Sequence, residues 1–475
     1  MVPSPRFYKT TAIVSSLMIG GLGMVNAIPQ QPNVLFIFAD DMRADAGSAF
    51  GNANFPTPNL EKLSQRGCNF SSAYIMGGTS AAVCAPSRAM LMTGRSLFRA
   101  PINLGEFKTW QQTLLENGYT TFGTGKWHNN IPGFQRSFSE GKSVFFGGMT
   151  NNQFAADVQD MSPTDKEISP KRKLGSHTSE GFADAAIDFL KSQKDSAKPF
   201  ACYLAFTAPH DPRQAPPEYH KQADANKPPA PPNFQPYLPF NNGEMVVRDE
   251  KLAPWPRTKE IIRQNLADYQ AAIVHMDAQI GRVLKTLQET GKADNTIIIF
   301  SADNGLSIGS HGLMGKQNLY EESLRVPLII AGPGIPGGKK SDAKLYLFDL
   351  FPTICELTSI AIPGTVEGKS LVPVLKGKTN THRDGIFGAY RHLQRSFNDG
   401  KWKLIVYPPI NKTELFDLVN DPYETRDVSS TSPERVKEML KEIEIRQKEY
   451  GDKANLTVKN PKQEAWTPPA SQKKK

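Results

Sequence analysis

The sequence has few cysteines and no strong excess of one charge. Its 475 residues include only 4 cysteines, too few for the framework of a disulfide-rich secreted domain. The net charge of +9 comes from 56 basic and 47 acidic residues, which does not by itself indicate nucleic-acid binding, and we expect no nucleic-acid partner. A hydrophobic content of 39% is typical of a globular protein and excludes a disordered or collagen-like chain.

Long apolar runs are missing from the sequence after its first 27 residues. Before that point, Arg6 and Lys9 precede an apolar run over residues 11–25, and Val25-Asn26-Ala27 resembles a small-residue cleavage site. This pattern is typical of a secretory signal peptide, and the run is shorter than the ~20 residues needed to span a bilayer. We therefore expect residues 1–27 to be a signal peptide, the protein to be secreted or periplasmic, and no membrane anchor to remain.

Apolar runs of strand length alternate with helical patterns along the rest of the chain. Residues 33–38 form a continuous apolar run that ends at Asp40 and Asp41, as in a strand buried on both faces. The alternation predicts an α/β fold with a large mixed, mostly parallel central sheet flanked by helices. Further strands are predicted over residues 120–125, 200–206, 296–301 and 326–331, and helices over residues 58–66, 110–117, 181–194 and 258–290.

The pattern changes after about Lys376. Strands are predicted over residues 385–390 and 395–406, the second broken by Asn398-Asp399-Gly400, a strong two-residue hairpin signal. A polar helix predicted over residues 433–450 and a lysine-ended tail follow. We therefore predict a catalytic α/β domain over residues 28–375 and a C-terminal subdomain over residues 376–475, with a small antiparallel sheet, a helix and a basic tail.

Polar clusters stand at the ends of the predicted strands and at one helix start. The carboxyl ends of strands are where α/β enzymes place their chemistry. Taken singly, each cluster also has an ordinary explanation, since Cys84 could be a buried cysteine or pair with Cys68, and a lone His210 on a loop is usually a surface residue. The clusters are Asp40-Asp41; Cys84 and Arg88; Lys126 and His128; His210; and Asp303-Asn304, followed by His311 and Lys316.

Taken together, the clusters indicate a metal ion beside an anion-binding pocket. Their oxygen donors form a set that suits calcium and is poor for zinc or copper. Because Pro86 suits a first helical turn, Cys84 would stand at a helix amino terminus, where the helix dipole favours anions. The oxygen donors are Asp40, Asp41, Asp303 and Asn304, and the cations that could hold an anion are Arg88, Lys126 and Lys316.

The clusters resemble, in order, those of the type I, formylglycine-dependent sulfatases of the alkaline phosphatase superfamily. Cys84-Ala85-Pro86-Ser87-Arg88 fits that family's Cys-x-Pro-Ser/Ala-Arg core, and residues 91–95 and 414–422 resemble its further motifs. The resemblance implies a sulfuric-ester hydrolase in which a formylglycine-generating maturation enzyme oxidises Cys84 to formylglycine. One hydroxyl of the hydrated aldehyde would attack sulfur, and the other would later expel sulfate, which a serine could not do.

The resemblance also implies a role for each cluster. Calcium would be held by Asp40, Asp41, Asp303, Asn304 and the modified Cys84. Arg88 and Lys126 would steady the formylglycine, and Lys126 and Lys316 would grip sulfate. His128 is the expected base and His210 the expected acid near the leaving oxygen, although the two roles could be shared, and His311 would touch the rim of the substrate. The expected substrate is a sulfated glycan.

Two other functions remain open on the sequence. A phosphonate or phosphate ester hydrolase of the same superfamily would use a similar site, because sulfate and phosphate groups are both tetrahedral and differ mainly in charge. An inactive protein that binds sulfated glycans would keep the fold, but such a protein usually lacks the nucleophile or a metal ligand, and neither is missing here. Asn129-Asn130 replaces the Leu-Gly of many glycan-acting relatives, so we expect the pocket beyond the sulfate to differ from theirs.

Overall fold

The computed structural model describes residues 1–4 and 31–469. The predicted signal peptide, residues 1–27, lies outside the described residues except for its first four. From Gln31 onward the described chain forms one compact unit. No helix in this described part is both long enough and apolar enough to cross a membrane.

The described residues contain sixteen strands and eleven α-helices, in an order that agrees with the alternation read from the sequence. The strands are β1 (Asn33–Ala39), β2 (Gly67–Tyr74), β3 (Gly77–Gly78), β4 (Thr120–Lys126), β5 (Glu140–Phe145), β6 (Asp157–Met161), β7 (Arg172–Lys173), β8 (Phe200–Ala205), β9 (Thr296–Ala302), β10 (Arg325–Ala331), β11 (Lys339–Ser341), β12 (Leu345–Tyr346), β13 (Ile386–Tyr390), β14 (Gln394–Asn398), β15 (Trp402–Tyr407) and β16 (Lys412–Asp417). The helices are α1 (Pro58–Gln65), α2 (Cys84–Thr93), α3 (Trp110–Glu116), α4 (Ile131–Ser137), α5 (Thr178–Ser192), α6 (Pro217–Ala225), α7 (Lys259–Glu289), α8 (Glu321–Leu324), α9 (Leu350–Leu357), α10 (Val372–Leu375) and α11 (Pro433–Tyr450).

The larger sheet runs in the order β11-β2-β10-β9-β1-β8-β4-β5-β6-β7, with β12 beside β2. Its centre, β9-β1-β8-β4-β5, is parallel, whereas β10 is antiparallel to both β9 and β2. Every residue of β1, β8 and β9 is buried, as expected for strands that are covered by helices on both faces. The predicted α/β fold with a mixed, mostly parallel sheet is confirmed.

The smaller sheet runs in the order β16-β15-β14-β13-β3. Its four C-terminal strands are antiparallel, but β3 comes from the segment before Cys84 and pairs in parallel with β13. Gly77 in β3 has φ 102°, and a Cβ there would lie 2.1 Å from the backbone oxygen of Ala389, so only glycine allows this approach. The smaller sheet therefore holds the chain in place a few residues before the start of α2.

Candidate active site

Four neighbouring parallel strands bring the polar clusters to one edge of the larger sheet. The order β9-β1-β8-β4 places the carboxyl ends of these strands side by side. Because each cluster follows its strand within a few residues, clusters far apart in sequence meet at this edge. The residues brought there are Asp303 and Asn304 after β9, Asp40 and Asp41 after β1, His210 after β8, and Lys126 and His128 at the end of β4.

Three carboxylates and the Cys84 thiol form a compact buried group. One ligand atom from each of Asp40, Asp41, Cys84 and Asp303 lies within 4.8 Å of the others. The backbone nitrogen of Asp41 donates to Asp303 Oδ1 at 3.1 Å, and the hydroxyl of Tyr269 in α7 donates to the backbone oxygen of Asp41 at 2.7 Å. These bonds hold Asp41 at φ 63°, a conformation that non-glycine residues rarely adopt and that is often found at functional sites.

A positively charged side chain contacts each of the three carboxylates. Lys126 Nζ bonds Asp40, and Arg88 Nε donates to Asp303 Oδ2 at 2.8 Å. Lys316 Nζ lies 2.6 Å from Asp41 Oδ1 and 3.0 Å from Cys84 Sγ. Buried ions are very unfavourable unless they are paired in this way.

The cations do not fully compensate the crowded negative charge. Burial opposes ionisation of Asp40, but the combined positive charges around it, chiefly that of Lys126, outweigh burial and hold the pKa of Asp40 well below its usual range. Burial and the nearby charge of Asp40 instead raise the pKa of Asp303 to about 7. Asp303 therefore lacks sufficient positive charge in its surroundings, which is the condition that a bound cation relieves.

Two buried side-chain oxygen atoms at this edge of the sheet fit a metal ion. Asp40 Oδ1 and Asn304 Oδ1 are buried and have no hydrogen-bond partner among the described residues. Such buried acceptors are costly and need an explanation. A hard divalent cation would satisfy both atoms, and an all-oxygen set of carboxylate and amide donors suits calcium.

Cys84 is the first residue of α2, as predicted, and all ten residues of this helix are buried. Cys84 and Cys68 are both free, so the disulfide alternative is not observed. Burial raises the pKa of the Cys84 thiol well above its usual range, despite the opposing charges of Lys126 and Lys316. The unmodified side chain is therefore a neutral thiol, and a neutral thiol is a poor nucleophile.

A pocket of about 300 Å³ opens above Cys84. His128 lies in its wall at φ 63°, and its buried Nδ1 has no hydrogen-bond partner among the described residues. Burial and the positive charges of Lys126 and Arg88 lower the pKa of His128 to about 2, so this ring is neutral and can accept a hydrogen bond or a proton. The pocket is lined by Ala81, Ala82, Cys84, His128, Gly148, Met149, His210, Val247, Arg248, Asp249, Lys316 and Gln317.

Several lining residues belong to no motif recognised in the sequence. Arg248 and Asp249 lie between α6 and α7, in the proline-rich crossing of the chain, and Met149 lies in the loop after β5. The loop over residues 145–152, which contains Met149, is predicted from the sequence to line the substrate site. No sequence pattern marks the segment of Arg248 and Asp249, so only its tertiary position reveals it.

The structure does not bring His311 to the pocket. Its ring stacks on Tyr320, with a distance of 3.7 Å between ring centroids, and it is 3% exposed. It belongs instead to a second buried group, with one ligand atom each from His311, Glu322 and Glu424 within 4.8 Å of one another. We call this group the His311 cluster, and the group of Asp40, Asp41, Asp303 and Cys84 the Cys84 cluster.

Comparison with known proteins shows extensive similarity over the chain. The family model described as sulfatase matches residues 32–360, and a second, described as N-sulphoglucosamine sulphohydrolase, C-terminal, matches residues 309–450. An arylsulfatase of Clostridium perfringens is 28% identical over 477 residues, which cover 89% of this chain and 96% of the relative. An N-acetylglucosamine-6-O-sulfatase of Bacteroides thetaiotaomicron is 26% identical, covering 89% of this chain and 87% of the relative.

A solved structure has the same fold. It is described as a complex with its substrate, D-glucosamine-2-N,6-O-disulfate, and it superposes with a TM-score of 0.75. Its sequence is 24% identical, and the match covers 89% of this chain and 98% of the other. At this level of identity the similarity establishes the architecture and leaves the choice of substrate to other arguments.

Proposed function

The chain belongs to the sulfatase family, and we propose that it is a secreted or periplasmic enzyme that removes sulfate from sulfated carbohydrates. The observation that carries the proposal is the Cys84 cluster with its neighbours Asn304, Arg88, Lys126 and Lys316. Together they combine a nucleophile position that lines a pocket, unpartnered oxygen atoms and three cations. The carbohydrate part is supported by relatives whose descriptions name sulfated glucosamine compounds or N-acetylglucosamine sulfatase activity. The export part is supported by the signal-peptide pattern in residues 1–27.

We infer that Cys84 is converted to formylglycine by a maturation enzyme. The neutral, buried thiol is not suited to attack a sulfate ester itself, and the Cys-x-Pro-Ser-Arg pattern begins at this residue. The hydrated aldehyde would supply one hydroxyl to attack sulfur and a second to release the sulfate. Lys316, whose Nζ lies 3.0 Å from Sγ, is placed to stabilise negative charge on this side chain.

We also infer that the Cys84 cluster holds calcium. Asp40, Asp41, Asp303, Asn304 and the modified side chain of residue 84 would be the ligands. The ion would supply positive charge beside the nucleophile and the sulfate group. Arg88 would hold Asp303 in place, because its Nε bonds this carboxylate and its Nη1 donates to the backbone oxygen of Lys126 at 2.7 Å.

The charges of the site favour a sulfate ester over a phosphate or phosphonate ester. Arg88, Lys126 and Lys316 are each already paired with a carboxylate, so the protein supplies little free positive charge. A sulfate monoester has one negative charge, whereas a phosphate monoester can have two.

His128 is the proposed proton acceptor during sulfate release, and His210 the proposed donor to the leaving oxygen.

The test is to express the full chain together with a formylglycine-generating enzyme and to measure released sulfate. The substrates are N-acetylglucosamine 6-sulfate, a panel of other sulfated sugars, 4-nitrophenyl sulfate and 4-nitrophenyl phosphate. We expect sulfate release and a lower rate on the phosphate ester, with calcium required for activity. Cys84→Ala is the matched control. Aldehyde at residue 84 with no release from any sulfate ester would contradict the proposal, and faster phosphate hydrolysis would favour the alternative.

A further inference from the structure

The ring of His210 is oriented by the residue that follows it. His210 Nδ1 lies 2.8 Å from the backbone oxygen of Asp211 and 3.3 Å from Asp211 Oδ1. Both oxygens are acceptors, so Nδ1 must carry a hydrogen. The other ring nitrogen, Nε2, is then the atom that faces the cluster, 3.6 Å from Asp41 Oδ2.

Asp211 is held in turn by Arg248. Both guanidinium Nη atoms contact the carboxylate, with Nη2 at 2.9 Å from Oδ1 and Nη1 bonded to Oδ2. A paired contact of this kind fixes the plane of the carboxylate as well as its position. Burial opposes ionisation of Asp211, but the hydrogen bond from Arg248 and the charge of His210 lower its pKa to about 2, so the carboxylate stays charged.

The same arginine connects the two sides of the pocket. Arg248 Nη2 lies 2.6 Å from Asp249 Oδ1, and Asp249 Oδ2 accepts from Gln317 Nε2 at 2.8 Å. Gln317 follows Lys316, and its amide also donates to the backbone oxygen of Ala81, in the segment before Cys84, at 2.9 Å. Arg248 therefore links the loop of His210, through Asp211, to the loop of Lys316, through Asp249 and Gln317. Its side chain is nevertheless 46% exposed.

We propose that Asp211 and Arg248 are positioning residues that orient His210 so that its Nε2 delivers the proton to the leaving oxygen of the substrate. This inference rests on the proposed function. During cleavage a deprotonated hydroxyl of the hydrated aldehyde at residue 84 would form a bond to sulfur, while the bond between sulfur and the leaving oxygen breaks and its electron pair goes to that oxygen. The Nε2 proton passes to the oxygen, and His210 is left neutral with its remaining hydrogen on Nδ1. Asp211 stabilises both forms, because Nδ1–H is the donor before and after the transfer.

The proposal predicts a dependence on the leaving group. A basic leaving oxygen needs the proton from His210, whereas 4-nitrophenolate leaves readily without it. A misoriented His210 therefore slows the hydrolysis of esters whose leaving oxygen is strongly basic more than the hydrolysis of 4-nitrophenyl sulfate. A general loss of structure would slow all esters by the same factor.

The experiment measures kcat/KM of the mature enzyme on phenyl sulfate, 4-nitrophenyl sulfate and N-acetylglucosamine 6-sulfate. For Asp211→Ala we expect a loss on phenyl sulfate at least about 10-fold greater than on 4-nitrophenyl sulfate, because proton donation contributes about 100-fold or more. Arg248→Gln should also lower kcat/KM more on phenyl sulfate than on 4-nitrophenyl sulfate, but by a smaller factor than Asp211→Ala. Lys251→Gln is the matched control, since it removes an exposed positive charge three residues from Arg248 and should change neither ratio.

A double variant separates positioning from folding. If Asp211 acts through His210, Asp211→Ala should add no further loss on phenyl sulfate in a His210→Ala background. Asp211→Asn, which keeps the size of the side chain, is the substitute if Asp211→Ala does not fold. Equal losses on all esters, or a further loss in the His210→Ala background, would overturn the inference while the parent enzyme remained active. A parent enzyme with confirmed aldehyde but no activity on any ester would overturn the proposed function instead.

Discussion

The Cys84 cluster and the His311 cluster are both buried groups of acidic side chains close enough to hold a metal ion, yet their surroundings differ. In the His311 cluster the amide nitrogen of Asn233 contacts both His311 and Glu322. This nitrogen lies 3.0 Å from His311 Nε2, 2.5 Å from Glu322 Oε1 and 2.8 Å from the backbone oxygen of Tyr423. A cation at the same place would have to displace it.

Both clusters are paired with buried cations, but the cation beside the His311 cluster, Lys403, does not line the pocket. Lys403 Nζ lies 2.8 Å from Glu424 and 2.9 Å from Glu321. This cation therefore connects β15 to α8, which contains Glu321, and to the segment after β16, which contains Glu424. Glu322 Oε2 has no hydrogen-bond partner among the described residues but lies 3.7 Å from His311 Nε2. The Cys84 cluster opens to a pocket, whereas no residue of the His311 cluster lines that pocket. The Cys84 cluster is the one we propose for catalysis, whereas the contacts of Lys403 beside the His311 cluster join β15 to residues of α8 and of the segment after β16.

The largest expected effect is on activity at Cys84. Cys84→Ala should lower kcat/KM for 4-nitrophenyl sulfate by at least about 10³-fold, since it removes the nucleophile. Cys84→Ser should accumulate a peptide that carries sulfate at position 84, detectable by mass spectrometry, because serine has no second hydroxyl to expel sulfate. Cys68→Ala is the control and should remain active. Activity of Cys84→Ala near that of the parent would show that the pocket above Cys84 is not the catalytic site.

Calcium should stabilise the protein through the Cys84 cluster and not through the His311 cluster. We expect calcium to raise the melting temperature of the parent, by an amount corresponding to about 2.7 kcal/mol at 100 times the dissociation constant. Asp303→Asn should remove this increase and lower activity about 100-fold or more, whereas Glu322→Gln should keep it. The measurement is thermal unfolding with calcium and with a chelator. A calcium effect that depends on Glu322 rather than Asp303 would reverse the comparison.

Lys403 should matter for stability and little for chemistry. Lys403→Met leaves Glu321 and Glu424 buried without their shared cation, and we expect a loss of about 3 to 5 kcal/mol in the free energy of unfolding. The kcat of the folded enzyme should stay within about twofold of the parent, measured below the melting temperature. Lys401→Met, at a neighbouring exposed position, is the control and should change neither quantity. A selective loss of kcat in a stable Lys403→Met variant would argue against a structural role.

The smallest effect is expected at His311. Because His311 lies outside the pocket, His311→Gln should change kcat/KM for N-acetylglucosamine 6-sulfate by no more than about threefold. A tenfold rise in KM without loss of stability would instead support contact with the substrate.

The same variant tests how His311 contributes to stability at low pH. Burial lowers the pKa of His311 to about 4, against about 6.5 in the unfolded chain. Between these values the unfolded chain takes up a proton that the folded protein does not, so stability falls as pH decreases from about 6.5 to 4. His311→Gln should weaken this decrease, measured by urea unfolding at several pH values. An unchanged slope would mean that other groups cause the acid sensitivity.

Much of the fold was predictable because strands and helices differ in their periodicity. The runs that became β1, β8 and β9 are largely apolar and are followed by polar residues, so their existence and their common edge followed from pattern alone. β2 was not predicted, since Asn69, Ser71 and Ser72 interrupt its apolar residues. It forms a strand because β10 pairs with it, and such pairing between distant segments leaves no local signal.

The candidate site divides in the same way. The motifs predicted which residues meet at the strand ends. The structure places ligand atoms of Asp40, Asp41, Cys84 and Asp303 within 4.8 Å of one another, and Lys316 in contact with Asp41 and Cys84. They did not predict that His311 would turn away from the pocket. Its neighbours in sequence, Gly309 and Gly312, have positive φ, and the turn they form directs this side chain toward Tyr320 and Glu322.

The sequence by itself determined the family of this protein, the strands β1, β4, β8 and β9 whose carboxyl ends meet, and the residue types that follow them. These properties depend on local composition and spacing, which are written directly in the chain. Only the tertiary structure decided which of two buried acidic clusters opens to a pocket, and that Arg248 would join the loops of His210 and Lys316. Exposure and charge pairing depend on segments that are far apart in the chain, so no local pattern specifies them.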